Sequence, residues 1–354
     1  MRNVQSQFAK KLLADVPTSP KSVASAFAPA NVALCKYWGK RDAALNLPVN
    51  SSLSVSLGEL GTRTEIRRIE AEGEGDRIWL DGRLRAPGTS FARRVSSFLD
   101  LFRSAFGEEA AFEVRTQNDV PTAAGLASSA SGFAALTLAL NELAGWGLDR
   151  KRLSMLARLG SGSAARSLWQ GFVRWHAGTE ADGTDSFAER LDAEWPALRV
   201  GIVELTAARK PVGSREGMAR TVETSRLYER WPKQAEEDLR TLRAAVEARD
   251  FSGLGRAAER NALAMHATMF SAWPPLIYWL PETIEALRTV QALRAEGTEA
   301  YVTIDAGPNV KVLFLEECAS AVRSAFPSLR IVRPFGSSDA KSLPERIDFR
   351  AENP

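Results

Sequence analysis

Apolar positions along the chain follow two periods, and the changes between them mark the elements. Residues 22–28 (S-V-A-S-A-F-A) alternate small and apolar as a strand does, and residues 63–69 and 111–116 also read as strands. Residues 45–57 read as a loop and a strand, and residues 78–84 as a hairpin in which Asp81-Gly82 supplies the positive φ angles of a tight turn. Phe91, Val95, Phe98, Leu99 and Phe102 recur at helical spacing. An apolar helix follows over residues 133–143, then a shorter one capped by Asp149 and ending near residue 159. Beyond residue 198 the rhythm changes. Strands are expected over 198–205, 300–304, 310–315 and 329–332, and helices over 236–248, 251–270, 281–296 and 318–326. With the extra helices set aside, this half reads β-α-β-β-α-β, the split ferredoxin-like order. The chain is therefore expected to be α+β, with domains over residues 22–198 and 199–354. Residues 1–21 form an extension, in which Val4, Phe8, Leu12 and Leu13 suit a short amphipathic helix before Pro17 and Pro20.

Length agrees with two domains, since 354 residues exceed what one core usually supports. The net charge of +3 arises from 46 basic and 43 acidic residues, which argues against a nucleic-acid partner while allowing a local basic pocket. Two cysteines, Cys35 and Cys318, make no disulfide framework and fit a reducing cytoplasm. With only His176 and His266, neither a His-rich metal site nor a clustered Ser-His-Asp motif is expected. No apolar run reaches the roughly 20 residues of a membrane helix, and the N-terminus lacks the apolar stretch of a secretory signal.

Candidate chemistry gathers in the turns. Residues 121–132 (P-T-A-A-G-L-A-S-S-A-S-G) lie between a strand and a helix, where small side chains and unpaired N–H groups favour a phosphate. The same composition also serves a tightly packed helix start, and neither the P-loop nor the dinucleotide spacing is present. In residues 31–42 (N-V-A-L-C-K-Y-W-G-K-R-D), Lys36 follows an apolar strand and needs a partner, as an inward-facing ammonium does. Residues 160–168 (G-S-G-S-A-A-R-S-L) set one guanidinium, Arg166, in a hydroxyl-rich loop suited to a carboxylate or phosphate. Residues 210–218 (K-P-V-G-S-R-E-G-M) form another basic loop. Asp305, at a strand end before Gly307-Pro308, is either a turn former or a carboxylate held for catalysis.

Together and in this order, with Met265-His266-Ala267-Thr268-Met269 and Pro274-Pro275 downstream, these segments resemble the mevalonate diphosphate decarboxylases of the GHMP kinase superfamily over about residues 22–335. The resemblance implies a two-domain GHMP kinase fold: an N-terminal domain like ribosomal protein S5 domain 2, a C-terminal ferredoxin-like domain, and the active site in the cleft between them. It implies ATP and Mg²⁺ as co-substrate and cofactor, mevalonate 5-diphosphate as substrate, and a cytoplasmic homodimer. Asp305 is implied as the catalytic aspartate, Lys36 as the lysine beside it, and Arg166 as the grip on the substrate carboxylate. Asn31, Tyr37, Lys40, Ser161, Ser163, Ser214, Arg215 and Met218 match substrate-lining positions. Ala124, Gly125, Leu126, Ala127, Ser128, Ser129 and Ala130 match the nucleotide loop, with Ser129 as the Mg²⁺ candidate. The chain departs from the pattern at Gly213, where many relatives have a second serine, and at Ala165, where they often have Cys or Ser. A 3-kinase that stops after phosphoryl transfer, or a non-catalytic protein of the same fold, are the alternative readings.

Overall fold

In the computed structural model, residues 2–70, 75–107, 109–119, 128–206, 208 and 210–335 are described. In chain order the elements are α1 (Arg2–Leu13), β1 (Val23–Cys35), β2 (Lys40–Asp42), β3 (Leu47–Pro48), β4 (Ser52–Ile69), β5 (Arg77–Leu80), β6 (Arg83–Arg85), α2 (Ser90–Leu99), β7 (Ala111–Asn118), α3 (Ser128–Ala144), α4 (Arg150–Gly160), β8 (Phe172–Trp175) and β9 (Ala188–Arg190). The second half holds β10 (Leu198–Val203), α5 (Ser214–Thr224), α6 (Trp231–Ala248), α7 (Phe251–Phe270), α8 (Pro281–Ala295), β11 (Ala300–Ile304), β12 (Val310–Leu315), α9 (Ala319–Ala325) and β13 (Arg330–Val332).

The first sheet runs β6-β5-β7-β4-β8-β9, with β1 also paired to β4. Its spine is longer than the pattern suggested. β1 does not stop near residue 28 but continues to Cys35, and its last eight residues are all buried. A strand buried on both faces shows no alternation, so the periodicity that revealed its first half is silent about its second. Pro29 is accommodated where the register shifts against β4 between Pro29 and Asn31. β4 is likewise a single strand across residues expected to break into two.

In the second sheet the strands lie in the order β11-β12-β10-β13, antiparallel throughout. That is the order expected of the β-α-β-β-α-β reading. The two halves share a core: Val32 and Leu34 of β1 belong to the same buried cluster as Val200 of β10, Leu239 of α6, and Leu254 and Met265 of α7. The end of β1 is thereby fixed against the end of β11, which positions the site. Among the described residues no helix is long and apolar enough to cross a membrane.

One local expectation is corrected. Residues 214–218 are not loop but the first turns of α5, starting at Ser214 after the extended Gly213. Gly213 and Gly217 obscured the helical period, and burial of Gly217, Met218 and Thr221 supplies what propensity lacks.

Candidate active site

Lys36 leaves the buried end of β1, and Asp305 leaves the end of β11. Their side chains meet at 2.8 Å, from Lys36 Nζ to Asp305 Oδ1. The lysine is 2% exposed, so the ion pair is largely withdrawn from water. Its ammonium also donates to the Ala33 carbonyl at 2.9 Å. Its backbone N–H donates to Asn261 Oδ1 at 2.7 Å, and Asn261 in turn donates to the buried Asp238 at 2.9 Å. A second lysine approaches the other carboxylate oxygen: Lys311 Nζ of β12 lies 3.4 Å from Asp305 Oδ2 and is 1% exposed. Burial alone would raise the Asp305 carboxyl, but the two ammonium groups outweigh it and hold the acid well below the usual carboxylate range. Burial draws Lys36 below its ordinary value, with Asp305 opposing.

Beneath this cluster His266 of α7 is fully buried, and burial followed by the charge of Lys36 lowers its pKa to about 3. The ring is therefore neutral, and its Nε2–H donates to the Asp305 carbonyl at 3.1 Å. Lys210 donates to the Ala306 carbonyl and to Ser214 Oγ, each at 2.7 Å, and so ties the start of α5 to the Asp305 turn.

Arg166 sits in the 3-10 turn Gly162–Arg166 that follows α4. It is 3% exposed, and its pKa falls to about 10 through burial, with Asp305 opposing. One guanidinium nitrogen donates to Ser52 Oγ at 2.7 Å and the other to Asn31 Oδ1 at 3.4 Å; Asn31 is anchored by its own bond to Ser167 Oγ at 2.7 Å. Arg166 Nε and Tyr37 Oη make no hydrogen bond among the described residues. Tyr37 stacks edge-on to Trp175 at 4.9 Å. A Cβ at position 162 would lie within 2.8 Å of the Tyr37 ring, so only glycine fits beneath it. Ser161 and Ser163 lie 3.3 Å apart between their hydroxyls, and Ser129, in the first turn of α3, is 3.4 Å from Ser161.

On the other side, Lys40, Arg94, Arg215 and Met218 line a cavity of about 620 Å³, together with Phe133 and Gly160. Lys40 Nζ donates to Asn46 Oδ1 at 2.5 Å, and burial with the nearby Arg215 charge lowers its pKa to about 8. Among the described residues none of Lys40, Arg94 and Arg215 forms an ion pair, although Glu223 stands on the same wall.

The structure thus brings Asp305, Lys36 and Lys311 into contact, with Arg166 braced beside them by Asn31. Lys40, Arg215 and Met218 share the open cavity, while Ser214 joins through Lys210. Ala124, Gly125, Leu126 and Ala127 of the expected nucleotide loop lie outside the described residues. Ser128 and Ala130 are placed only as first-turn residues of α3. Among the described residues no three His, Cys, Asp or Glu side chains gather as a metal cluster. Magnesium does not require one, because it keeps several waters and is commonly held through nucleotide phosphates.

Models of two protein families match the chain: the diphosphomevalonate decarboxylase-like N-terminal domain over residues 28–188, and the mevalonate 5-diphosphate decarboxylase C-terminal domain over residues 200–343. The chain belongs to the diphosphomevalonate decarboxylase family. Members named diphosphomevalonate decarboxylase from Eremothecium gossypii and Rattus norvegicus are each 39% identical to it. The alignments span 83% and 85% of this chain and 78% and 79% of theirs. The crystal structure of the Staphylococcus aureus mevalonate diphosphate decarboxylase superposes with a TM-score of 0.83 at 37% identity, covering 88% of this chain and 95% of that one. A family structure solved with MVAPP, AMPPCP and magnesium gives 0.82 at 41% identity, covering 88% and 96%.

In this decarboxylase family member Lys311, His266 and Asn261 join the site without standing out among the candidate residues of the sequence. Lys311 was discoverable: a lysine in the apolar run V-K-V-L-F-L needs a buried partner for the same reason as Lys36. His266 stands in the segment Met265–Met269, whose pattern gives no sign that its ring faces a carbonyl 39 residues away.

Proposed function

We propose that the chain catalyses the ATP-dependent decarboxylation of (R)-5-diphosphomevalonate to isopentenyl diphosphate, releasing ADP, phosphate and CO₂, in the mevalonate route to isoprenoids. The observation that carries this is one carboxylate, Asp305, clasped by Lys36 and Lys311. It lies beside a braced arginine, and Tyr37 feels the charge both of that arginine and of Arg215, which lines a cavity whose cations have no carboxylate partners among the described residues.

Each group has a task. The diphosphate lies along Lys40 and Arg215, with the hydroxyls of Ser161, Ser163 and Ser214 and the Met218 wall around it. The ATP phosphates lie at the start of α3, where magnesium, when bound, offsets their charge and the Ser129 hydroxyl would hold it. Asp305 orients the 3-hydroxyl by accepting its hydrogen bond. A carboxylate held so firmly ionised is a weak base, so the proton moves late, as the γ-phosphoryl group passes from ADP to the hydroxyl oxygen. Lys36 and Lys311 then stand where charge builds on the transferring group. In the second step the bond from the carboxylate carbon breaks and its electron pair forms the new double bond, while the C3–O pair leaves with phosphate. Arg166 fixes the carboxylate so that the two breaking bonds align. Orientation is its contribution, because stabilising a charge that the reaction disperses would slow it.

The division at residues 198/199, the extension over residues 1–21, a cytoplasmic location and a homodimer belong to the same proposal. Support for the location is that both cysteines, Cys35 and Cys318, are free. The decisive assay couples ADP release to CO₂ release with mevalonate, its 5-phosphate and its 5-diphosphate side by side. Stoichiometric ADP and CO₂ from the 5-diphosphate is expected; ADP without CO₂ would make the protein a 3-kinase.

A further inference from the structure

The helix α1 precedes the region matched by the N-terminal family model, which begins at residue 28. It is not a loose appendage. Phe8 and Ala9 are buried in the cluster that also holds Leu45 and Leu47, and Gln5 lines the same cavity as Lys40 and Arg215.

What α1 covers is the least self-sufficient part of the fold. Lys40 lies on β2, which among the described residues pairs only with the two-residue β3, in a ribbon that there joins neither main sheet. A two-stranded ribbon is marginal in water without packing on its faces. Here the turn between its strands is held from outside. Gln5 Nε2 donates to the Ala44 carbonyl at 2.6 Å. The Phe8 ring covers the guanidinium of Arg158, with 4.8 Å from Cζ to ring centroid, and Arg158 is fully buried. That guanidinium donates to the Leu45 carbonyl at 3.2 Å and to the carbonyls of Gly183 and Ser186. Asn46, at a left-handed φ of 54°, donates to the carbonyls of Arg158 and Leu159 at 2.8 and 3.0 Å. Its remaining oxygen accepts from Lys40 Nζ. A continuous path of contacts runs from α1 through Arg158 and Asn46 to the ammonium on the cavity wall.

We propose that α1 is a brace for the diphosphate arm of the site: through Gln5, Phe8 and Arg158 it holds the Lys40–Pro48 ribbon so that Asn46 fixes the Lys40 ammonium toward the cavity. Gln5, Phe8 and Asn46 are positioning residues, and the inference rests on the reading of Lys40 as a diphosphate ligand. A merely structural helix would affect all kinetic constants alike, or only the melting temperature. A brace affects binding of the diphosphate end alone.

The test uses full-length Gln5→Ala, Phe8→Ala, Phe8→Leu and Asn46→Ser. The readouts are kcat, KM for 5-diphosphomevalonate and for ATP, Tm, and the Kd of inorganic pyrophosphate by calorimetry. Phe8→Ala is expected to raise the diphosphate KM and the pyrophosphate Kd about five- to tenfold, leaving kcat and the ATP KM within about twofold, with Phe8→Leu restoring most of the loss. Gln5→Ala, which deletes one hydrogen bond and little core, should give a smaller shift of the same kind. It keeps the test open should Phe8→Ala fold poorly. Phe8→Ala added to Asn46→Ser should cost less than the product of the two effects, because both act through one path. A lowered Tm with unchanged KM and Kd, or fully multiplicative effects, would overturn the brace. Should the wild-type protein release no CO₂ from the diphosphate, the enzymatic reading fails while the pyrophosphate Kd still tests the brace.

Discussion

The two ends of the site use the same kinds of residue in opposite settings. Around Asp305 the charges are buried, paired and pinned: Lys36 is 2% exposed, Lys311 is 1% exposed, and a neutral His266 holds the backbone carbonyl of Asp305 itself. Around the cavity the cations Lys40, Arg94 and Arg215 have no carboxylate partner among the described residues and face one another, so that Arg215 lowers the pKa of both neighbours after burial does. A pinned ion pair needs no rearrangement when charge develops in a reaction, whereas mutually repelling cations are relieved when an anion arrives. The buried end is thus suited to the chemical step and the open end to holding substrate. Substitutions should separate along that line, in kcat at one end and in KM at the other.

The largest effect is expected from Asp305→Asn, which keeps the shape while removing the charge and one of the two oxygens that face Lys36 and Lys311. It should lower kcat by about 10³-fold, within the range of a positioned carboxylate, and leave ATP and pyrophosphate Kd within a few-fold by calorimetry. A variant that turns over at near the wild-type rate would show that the clasped carboxylate is structural. Arg166→Lys comes next. An ammonium cannot span Ser52, Asn31 and a carboxylate at once, so kcat/KM should fall about 10–100-fold, with ADP forming in excess over CO₂ as alignment is lost. Strict one-to-one release at a normal rate would remove Arg166 from the decarboxylation step.

The same contrast explains how far residues could be read without a structure. Lys36 was legible because a lysine ending an apolar strand requires a partner, whereas Asp305 read equally as a turn former and only the family resemblance set the two side by side. The β-α-β-β-α-β half was legible because its strands are short and bounded by turns. The second half of β1 was not, since full burial removes the alternation that marks a strand. Nor was α5, where two glycines break the pattern and the cavity wall supplies the packing. The partner of Lys311 and the path from Phe8 to Lys40 depend on contacts between segments far apart in the chain, which no local period encodes.

Lys311→Met sharpens the comparison at intermediate scale. Lys36 still pairs with Asp305, so the acid keeps one cation and loses the other, and kcat should fall about tenfold. The sign of the pH effect follows from the direction of the shift. Asp305 is held below its ordinary value by both lysines; with one removed its pKa rises, and the acid limb of the rate profile should move upward relative to the wild type. Rate–pH profiles of the variant and wild type between pH 4.5 and 7 would detect it. Overlapping profiles would assign Lys311 to packing.

The smallest effect belongs to the open end and needs no substitution to observe. Lys40 titrates near pH 8, lowered first by burial and then by Arg215, and only its charged form pairs with a diphosphate. Below pH 8 the ammonium is present and KM should be flat; above it KM should rise, approaching tenfold per unit, while kcat stays level because the bound anion raises the lysine's pKa again. Lys40→Arg keeps the charge at every accessible pH, so it should abolish the rise, although its fork will not reproduce the single bond to Asn46 and KM at pH 7 should worsen about twofold. If instead kcat fell with KM above pH 8, the two ends would not be separable, and the cation at the open end would have to be counted as part of the chemistry.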